Sequence, residues 1–186
     1  MARFYKRKYG VELDPETEVL ALIGSKEGIA HLVTAVINHG DRVLIPDPGY
    51  PVYRTAVQLA GGVSCYFELD QKRGYIPNFA KISTTTLKRA KLMFLNYPAN
   101  PTAASIGLDT FAKAVAFAKQ HRIALAHDAA YSLVTFGNYE APSIMQVLVL
   151  NLWRLSLARY RRAFIWLAGV SVTLSAIRRC LALYRL

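Results

Sequence analysis

The stretch KLMFLNYPANPTAASIGLDTFAKAVAFAKQHRIALAHDAAY, residues 91–131, decides the fold. Lys91 to Leu95 is a short apolar run of the kind a buried strand shows. Asn96-Tyr97-Pro98-Ala99-Asn100-Pro101-Thr102 ends it, because clustered prolines and asparagines favour a turn. Asp109 opens a helical pattern that runs to about Gln120. Ile123 to His127 is a second apolar strand, with Asp128 at its end. The stretch therefore reads strand, turn, helix, strand.

The same alternation extends toward the N-terminus. Residues 1–9 read as an amphipathic helix, and Glu18 to Ile23 as a short strand ending in Gly24. A helical face follows with Ile29, Leu32, Val33, Val36 and Ile37. Arg42 to Ile45 is a strand closed by Pro46-Asp47-Pro48-Gly49. Tyr50 to Ala60 is helical, and Val63 to Leu69 is a strand after Gly61-Gly62. Strands alternating with helices predict an α/β fold, a mostly parallel sheet flanked by helices. Ligands in such sheets bind beyond the carboxyl ends of the strands. The polar clusters Gly24–Gly28, Asp47–Tyr50, Asn96–Thr102 and Asp128–Tyr131 all fall there.

Composition sets the outer limits. The 186 residues, 53% hydrophobic and 19% charged, suffice for one globular domain with a core. Cys65 and Cys180 make neither a disulfide framework nor a metal spacing, which points to a reducing compartment. No secretory pattern follows Met1, where Arg3, Lys6, Arg7 and Lys8 come without an apolar run. The net charge of +11 would suit nucleic acid or an anionic membrane, but its distribution argues otherwise. Residues 1–146 hold 16 Lys/Arg against 12 Asp/Glu, whereas residues 147–186 hold seven arginines and no acid. The basicity belongs mainly to the last forty residues, and nucleic acid is not an expected partner.

Each polar cluster also has a plain reading. Gly24-Ser25-Lys26-Glu27-Gly28 could offer helix N-terminal amides to an anion, or be an ordinary strand–helix turn; it lacks nucleotide-binding spacings. Tyr50 could stack on a flat heterocycle or line a rim. Asn100 is an amide held by a proline-rich turn. Asp128 and Tyr131 could cap a helix and pack, or could pair with a protonated ring nitrogen and bond a ring oxygen. His31 reads as a packed histidine. His127 alternates away from Asp128 and reads as structural. The four histidines and two cysteines form no metal set.

In their order and spacing, GSKEGIAHL (24–32), DRVLIPDPGYPVY (41–53), KLMFLNYPANPTAA (91–104) and IALAHDAAYSLVTF (123–136) resemble fold-type I pyridoxal-phosphate (PLP) enzymes, specifically class I/II aminotransferases of the LL-diaminopimelate type. The resemblance covers roughly residues 4–146. It implies that this part belongs to the large PLP-binding domain. Ser25 and Lys26 would present loop amides to the cofactor phosphate, and Tyr50 would stack on the pyridine ring. Asn100 and Tyr131 would bond the ring hydroxyl oxygen, and Asp128 would pair with the pyridine nitrogen. The implied partners are an amino acid, a 2-oxo acid and a second copy of the chain; the implied location is the cytoplasm.

The resemblance also implies a lysine that forms a Schiff base with PLP, well after the Asp-x-x-Tyr strand. No lysine follows Lys119. Residues 1–146 are therefore expected to be a partial cofactor domain, and 147–186 an aberrant basic, apolar tail. Reading from the third base of the Val147 codon, with free wobble bases, permits EFGSLSKSFYMAGWRIGYAVGNPE across Leu155 to Arg179. That string restores the lysine motif and a phosphate-binding arginine, so a frame change near codon 147 is expected. The chain as given is expected to bind PLP weakly and not to transaminate. Two alternatives stand beside this one: a membrane association through the uncharged run Ala163–Ile177, shorter than the ~20 residues a span needs, and a non-catalytic remnant.

Overall fold

The computed structural model describes residues 1–16, 18–150, 164–168 and 171–173. The elements are α1 (Ala2–Tyr9), β1 (Leu20–Ala21), α2 (Ser25–Val36), β2 (Arg42–Asp47), α3 (Val52–Leu59), β3 (Val63–Glu68) and α4 (Thr84–Leu87). They continue as β4 (Ala90–Asn96), α5 (Leu108–His121), β5 (Ala124–Asp128), α6 (Ile144–Leu150), β6 (Phe164–Ala168) and β7 (Ser171–Thr173).

The strands form one sheet in the order β1-β7-β6-β5-β4-β2-β3. Strands β3, β2, β4, β5 and β6 run parallel, while β7 is antiparallel to both β6 and β1. The mostly parallel α/β sheet expected from the alternation is present. From β2 the chain steps outward to β3, then crosses back to place β4 on the other side of β2. Strand order therefore reverses between β2 and β4, which opens a crevice at their carboxyl ends.

Side-chain alternation divides the core between the two faces of the sheet. Val43, Ile45, Leu92, Phe94 and Ala126 pack with Ile29, Leu32 and Val33 of α2 and Tyr53 and Val57 of α3. Leu44, Met93, Leu95 and Leu125 pack on the opposite face with Tyr5 of α1, Phe111 and Ala114 of α5 and Ile144 of α6. Covering both faces explains why the central strands read as continuous apolar runs.

Several boundaries differ from the sequence reading. The helix expected from Tyr50 begins at Val52, with Pro51 as its N-cap, because proline suits a helix start and lacks the N–H an interior would use. The strand expected over Glu18–Ile23 contracts to Leu20–Ala21, which is exposed and pairs with the short β7. Strands β2 and β4 extend through the polar Asp47 and Asn96. Helix α6 had no clear periodic signal. Most of the Leu155–Arg179 stretch lies outside the described residues. The parts of Ala163–Ile177 that are described are the strands β6 and β7. Among the described residues no helix is long and apolar enough to cross a membrane.

Alternation on β5 also separates two neighbours. His127 points to the α5 face, edge-on to Phe111 with ring centroids 4.6 Å apart. Its Nε2 lies 2.9 Å from the Tyr97 carbonyl oxygen. A carbonyl can only accept, so Nε2 carries the proton and Nδ1 is a bare acceptor, without a partner among the described residues. Complete burial pulls the imidazole pKa down to about 4. An unfolded chain takes up that proton more readily between about pH 6.5 and 4, so stability falls as pH drops through that window. The loss is about 3 kcal/mol, at 1.36 kcal/mol per pKa unit. Substituting His127→Leu is expected to flatten the pH 6.5-to-4 limb of urea-unfolding stability; an unchanged limb counts against the buried neutral imidazole.

Candidate functional site at the carboxyl ends of the parallel strands

Asp128 ends β5 and is 3% exposed. Its parity places it on the α2/α3 face, opposite His127. The Tyr53 hydroxyl donates to Asp128 Oδ2 at 2.7 Å, and the Ala130 backbone N–H reaches Oδ1 at 3.3 Å. No Lys, Arg or His forms an ion pair with this carboxylate among the described residues. Burial raises its pKa, while the bonds from Tyr53 and Ala130 oppose that rise.

Tyr53 is fully buried in α3. Its ring stacks on Phe94 of β4, centroids 4.5 Å apart and planes at 11°. Tyr50, half-buried in the turn after β2, meets Tyr53 edge-on at 5.7 Å. Gly49 sets up that turn: a Cβ there would overlap the Pro46 carbonyl oxygen. The close approach, rather than any left-handed backbone, requires glycine.

The Asn96–Thr102 turn is tied to β5 by Asn96. Its Nδ2 donates to the Asp128 carbonyl oxygen at 2.9 Å, and its Oδ1 accepts from the Asn100 backbone N–H at 2.7 Å. Register supports this, since Asn96 and Asp128 are paired positions on adjacent strands. Asn100 Nδ2 then lies 3.3 Å from the Tyr131 hydroxyl oxygen. The Asn100–Tyr131 pair borders a cavity of about 490 Å³ whose walls include Pro98, Ser105, Val134 and Phe136. Tyr131 is 41% exposed.

The structure thus gathers Tyr50, Asn100, Asp128 and Tyr131 at one end of the sheet. Tyr53, which the sequence reading passed over, sits between them. Its three-residue spacing from Tyr50 at a helix start was the available signal. Ser25 and Lys26 open α2, with Ser25 half-buried and Lys26 exposed. Neither forms a hydrogen bond or ion pair with Tyr50, Asp128 or Tyr131 among the described residues. Gly24 caps α2 in extended backbone that any residue could adopt, with φ of −179°. A Cβ added there would meet nothing within 4 Å among the described residues. Asp128 does not cap a helix, because β5 is followed by a turn.

The description "Aminotransferase class I and II" matches residues 1–175. This chain belongs to the class I and II aminotransferase family, which is PLP-dependent. It is similar to LL-diaminopimelate aminotransferases of Syntrophobacter fumaroxidans, 48% identical over 79% of this chain and 38% of that protein. Another, from Desulforudis audaxviator, is 50% identical over the same shares. Among solved structures, BacF of Bacillus subtilis superposes with a TM-score of 0.84 at 34% identity, covering 98% of this chain and 47% of that one. The chain spans 38% of the length of these curated aminotransferases.

Two outcomes test this part of the aminotransferase fold. Gly49→Ala is expected to cost about 1–3 kcal/mol of unfolding free energy through overpacking against Pro46. Asp128→Asn removes a buried charge yet keeps an acceptor for Tyr53. The raised Asp128 pKa means the folded state holds its proton more tightly, so wild-type stability is lost as pH rises from about 3.8 through the raised value. Without added cofactor at pH 7, the Asp128→Asn chain is expected to melt at a higher temperature than wild type. A lower midpoint would show that the carboxylate is better solvated than its burial implies.

Proposed function

We propose that residues 1–146 are part of the PLP-binding domain of an aminotransferase that moves an amino group between an amino acid such as LL-diaminopimelate and a 2-oxo acid. The observation that carries this reading is Asp128: a buried carboxylate with no cationic partner among the described residues, one oxygen engaged by Tyr53 and the other held only by a long backbone contact. A protonated pyridine nitrogen is a fitting partner for such a group, because a buried charge demands an opposite one.

The other residues fit the same ring. Tyr50 offers an aromatic face beside Tyr53, the residue that bonds Asp128, and Asn100 with Tyr131 offers an amide and a hydroxyl for a ring oxygen. The amides of Ser25 and Lys26 at the start of α2 suit a phosphate. When bound, the cofactor supplies an electron sink at the amino acid's α-carbon. The carboxylate of Asp128 keeps the ring nitrogen protonated, which is the state that draws electrons.

No lysine follows Lys119 in the 186 residues, so a Schiff-base lysine is not among them. A frame change near the Val147 codon would account for the basic, acid-free tail. Sequencing across codon 147 tests that part; an intact frame there removes it. A cytoplasmic location is in keeping with Cys65 as a free thiol.

Pyridoxamine phosphate, the amine form of the cofactor, needs no lysine and is the direct probe. Calorimetric titration is expected to show saturable binding, weakened tenfold or more in Asp128→Asn, the worth of a hydrogen bond between charged groups. Equal affinity in the two proteins would remove Asp128 from the site and the cofactor reading with it.

A further inference from the structure

Three features outside the roles assigned so far invite an explanation: the unpartnered Nδ1 of His127, the apolar cluster at Leu133, Val134 and Phe136, and the Tyr53 phenol. His127 faces α5, away from the crevice, where its ring meets Phe111 edge-on and its Nε2 bonds the Tyr97 carbonyl. Leu133, Val134 and Phe136 are exposed, but nothing in the structure shows what covers them. Tyr53 is different, because it touches two of the groups that the cofactor reading requires.

We propose that Tyr53 is the positioning residue of the site: its buried phenol presets the Asp128 carboxylate, with Oδ2 engaged and Oδ1 turned to a protonated ring nitrogen, and it props the Tyr50 ring. The inference rests on the cofactor reading for the identity of the ring, but its structural half stands on this chain alone. Stacking on Phe94 fixes the plane of the Tyr53 ring, and full burial in α3 leaves the hydroxyl little choice of direction. At 2.7 Å the hydroxyl makes a full hydrogen bond to Oδ2. A carboxylate with one oxygen so engaged cannot rotate freely, and ordering it before the ring arrives removes an entropic cost of binding. The edge-on contact of Tyr50 with Tyr53 steadies the ring that would lie against the heterocycle.

The electrostatics run the same way. Burial pushes Asp128 toward its protonated form, and the Tyr53 bond counteracts this. The phenol itself is pushed well above its ordinary pKa, first by burial and then by Asp128, with Tyr50 and Tyr131 adding smaller contributions. It stays a donor across the working range. A protonated Asp128 could not hold a proton on the ring nitrogen, so a donor that favours the anion serves the chemistry as well as the geometry.

Tyr53→Phe deletes the hydroxyl and keeps the stacked ring. In the full chain labelled with ¹³C at aspartate carboxyls, the Asp128 titration is expected to move to higher pH in this variant. An unmoved titration overturns the proposal, whether or not any cofactor binds. Pyridoxamine phosphate is expected to bind about tenfold more weakly to Tyr53→Phe than to wild type, and the difference is expected to vanish when both proteins also carry Asp128→Asn. A Tyr53→Phe effect that persists undiminished beside Asp128→Asn would show that Tyr53 does not act through the carboxylate. Absence of pyridoxamine phosphate binding by wild type would sink the cofactor reading, while the carboxyl titration still decides the role of Tyr53. Should Tyr53→Phe fail to fold, the hydroxyl proton of Tyr53 in the unsubstituted chain decides instead. A slowly exchanging signal that shifts as Asp128 titrates supports the assignment, and a signal indifferent to that titration overturns it.

Discussion

A carboxylate that is 3% exposed, with no positive side chain to neutralise it among the described residues, is the constraint around which this end of the molecule is arranged. Burying such a group is costly unless hydrogen bonds and an opposite charge compensate. The chain supplies the hydrogen bonds: Tyr53 from α3, the Ala130 backbone and, for the carbonyl of the same residue, Asn96 from β4. Among the described residues no opposite charge stands there. That deficit is what turns a packed strand end into a place where a cationic ring is welcome.

The contrast with His127 shows how far one step along a strand can carry. Neighbours on β5 face opposite sides of the sheet, so two buried ionisable groups answer to different surroundings. Against α5, the imidazole meets the edge of Phe111 and is kept neutral by burial. Against α3, the carboxylate meets a phenol that stabilises its charge. The first closes off a core; the second leaves one oxygen with only a long contact. Their pKa shifts also act oppositely on stability, since burial favours the neutral form of each and those forms hold different numbers of protons.

The topology concentrates these groups. Asp47, Asn96 and Asp128 end β2, β4 and β5, three adjacent parallel strands, and order reverses between β2 and β4. A reversal of this kind leaves a gap between loops that turn away to either side, and small ligands fill it. Membership of the aminotransferase family therefore has a physical counterpart in this segment, although the segment spans 38% of its curated relatives.

Much of this was legible in the residues. Apolar runs, Pro- and Asn-rich turns and helical periodicity set out the alternating elements, because local propensity and burial pattern agree in a parallel α/β sheet. Four motifs in order pointed to the family, and named Ser25, Lys26, Tyr50, Asn100, Asp128 and Tyr131 as candidates for the site. Strand β1 shrank because its partner β7 is short and distant in sequence, and α6 came without a clear periodic signal. Tyr53 went unnoticed because its significance is a contact across 75 residues, which spacing along the chain cannot express. The sequence by itself determined which residue types end each strand. Only the tertiary structure decided that the Tyr53 hydroxyl meets Oδ2 of Asp128, since that depends on how α3, packed against β2 and β3, sends its Tyr53 ring over Phe94 to the end of β5.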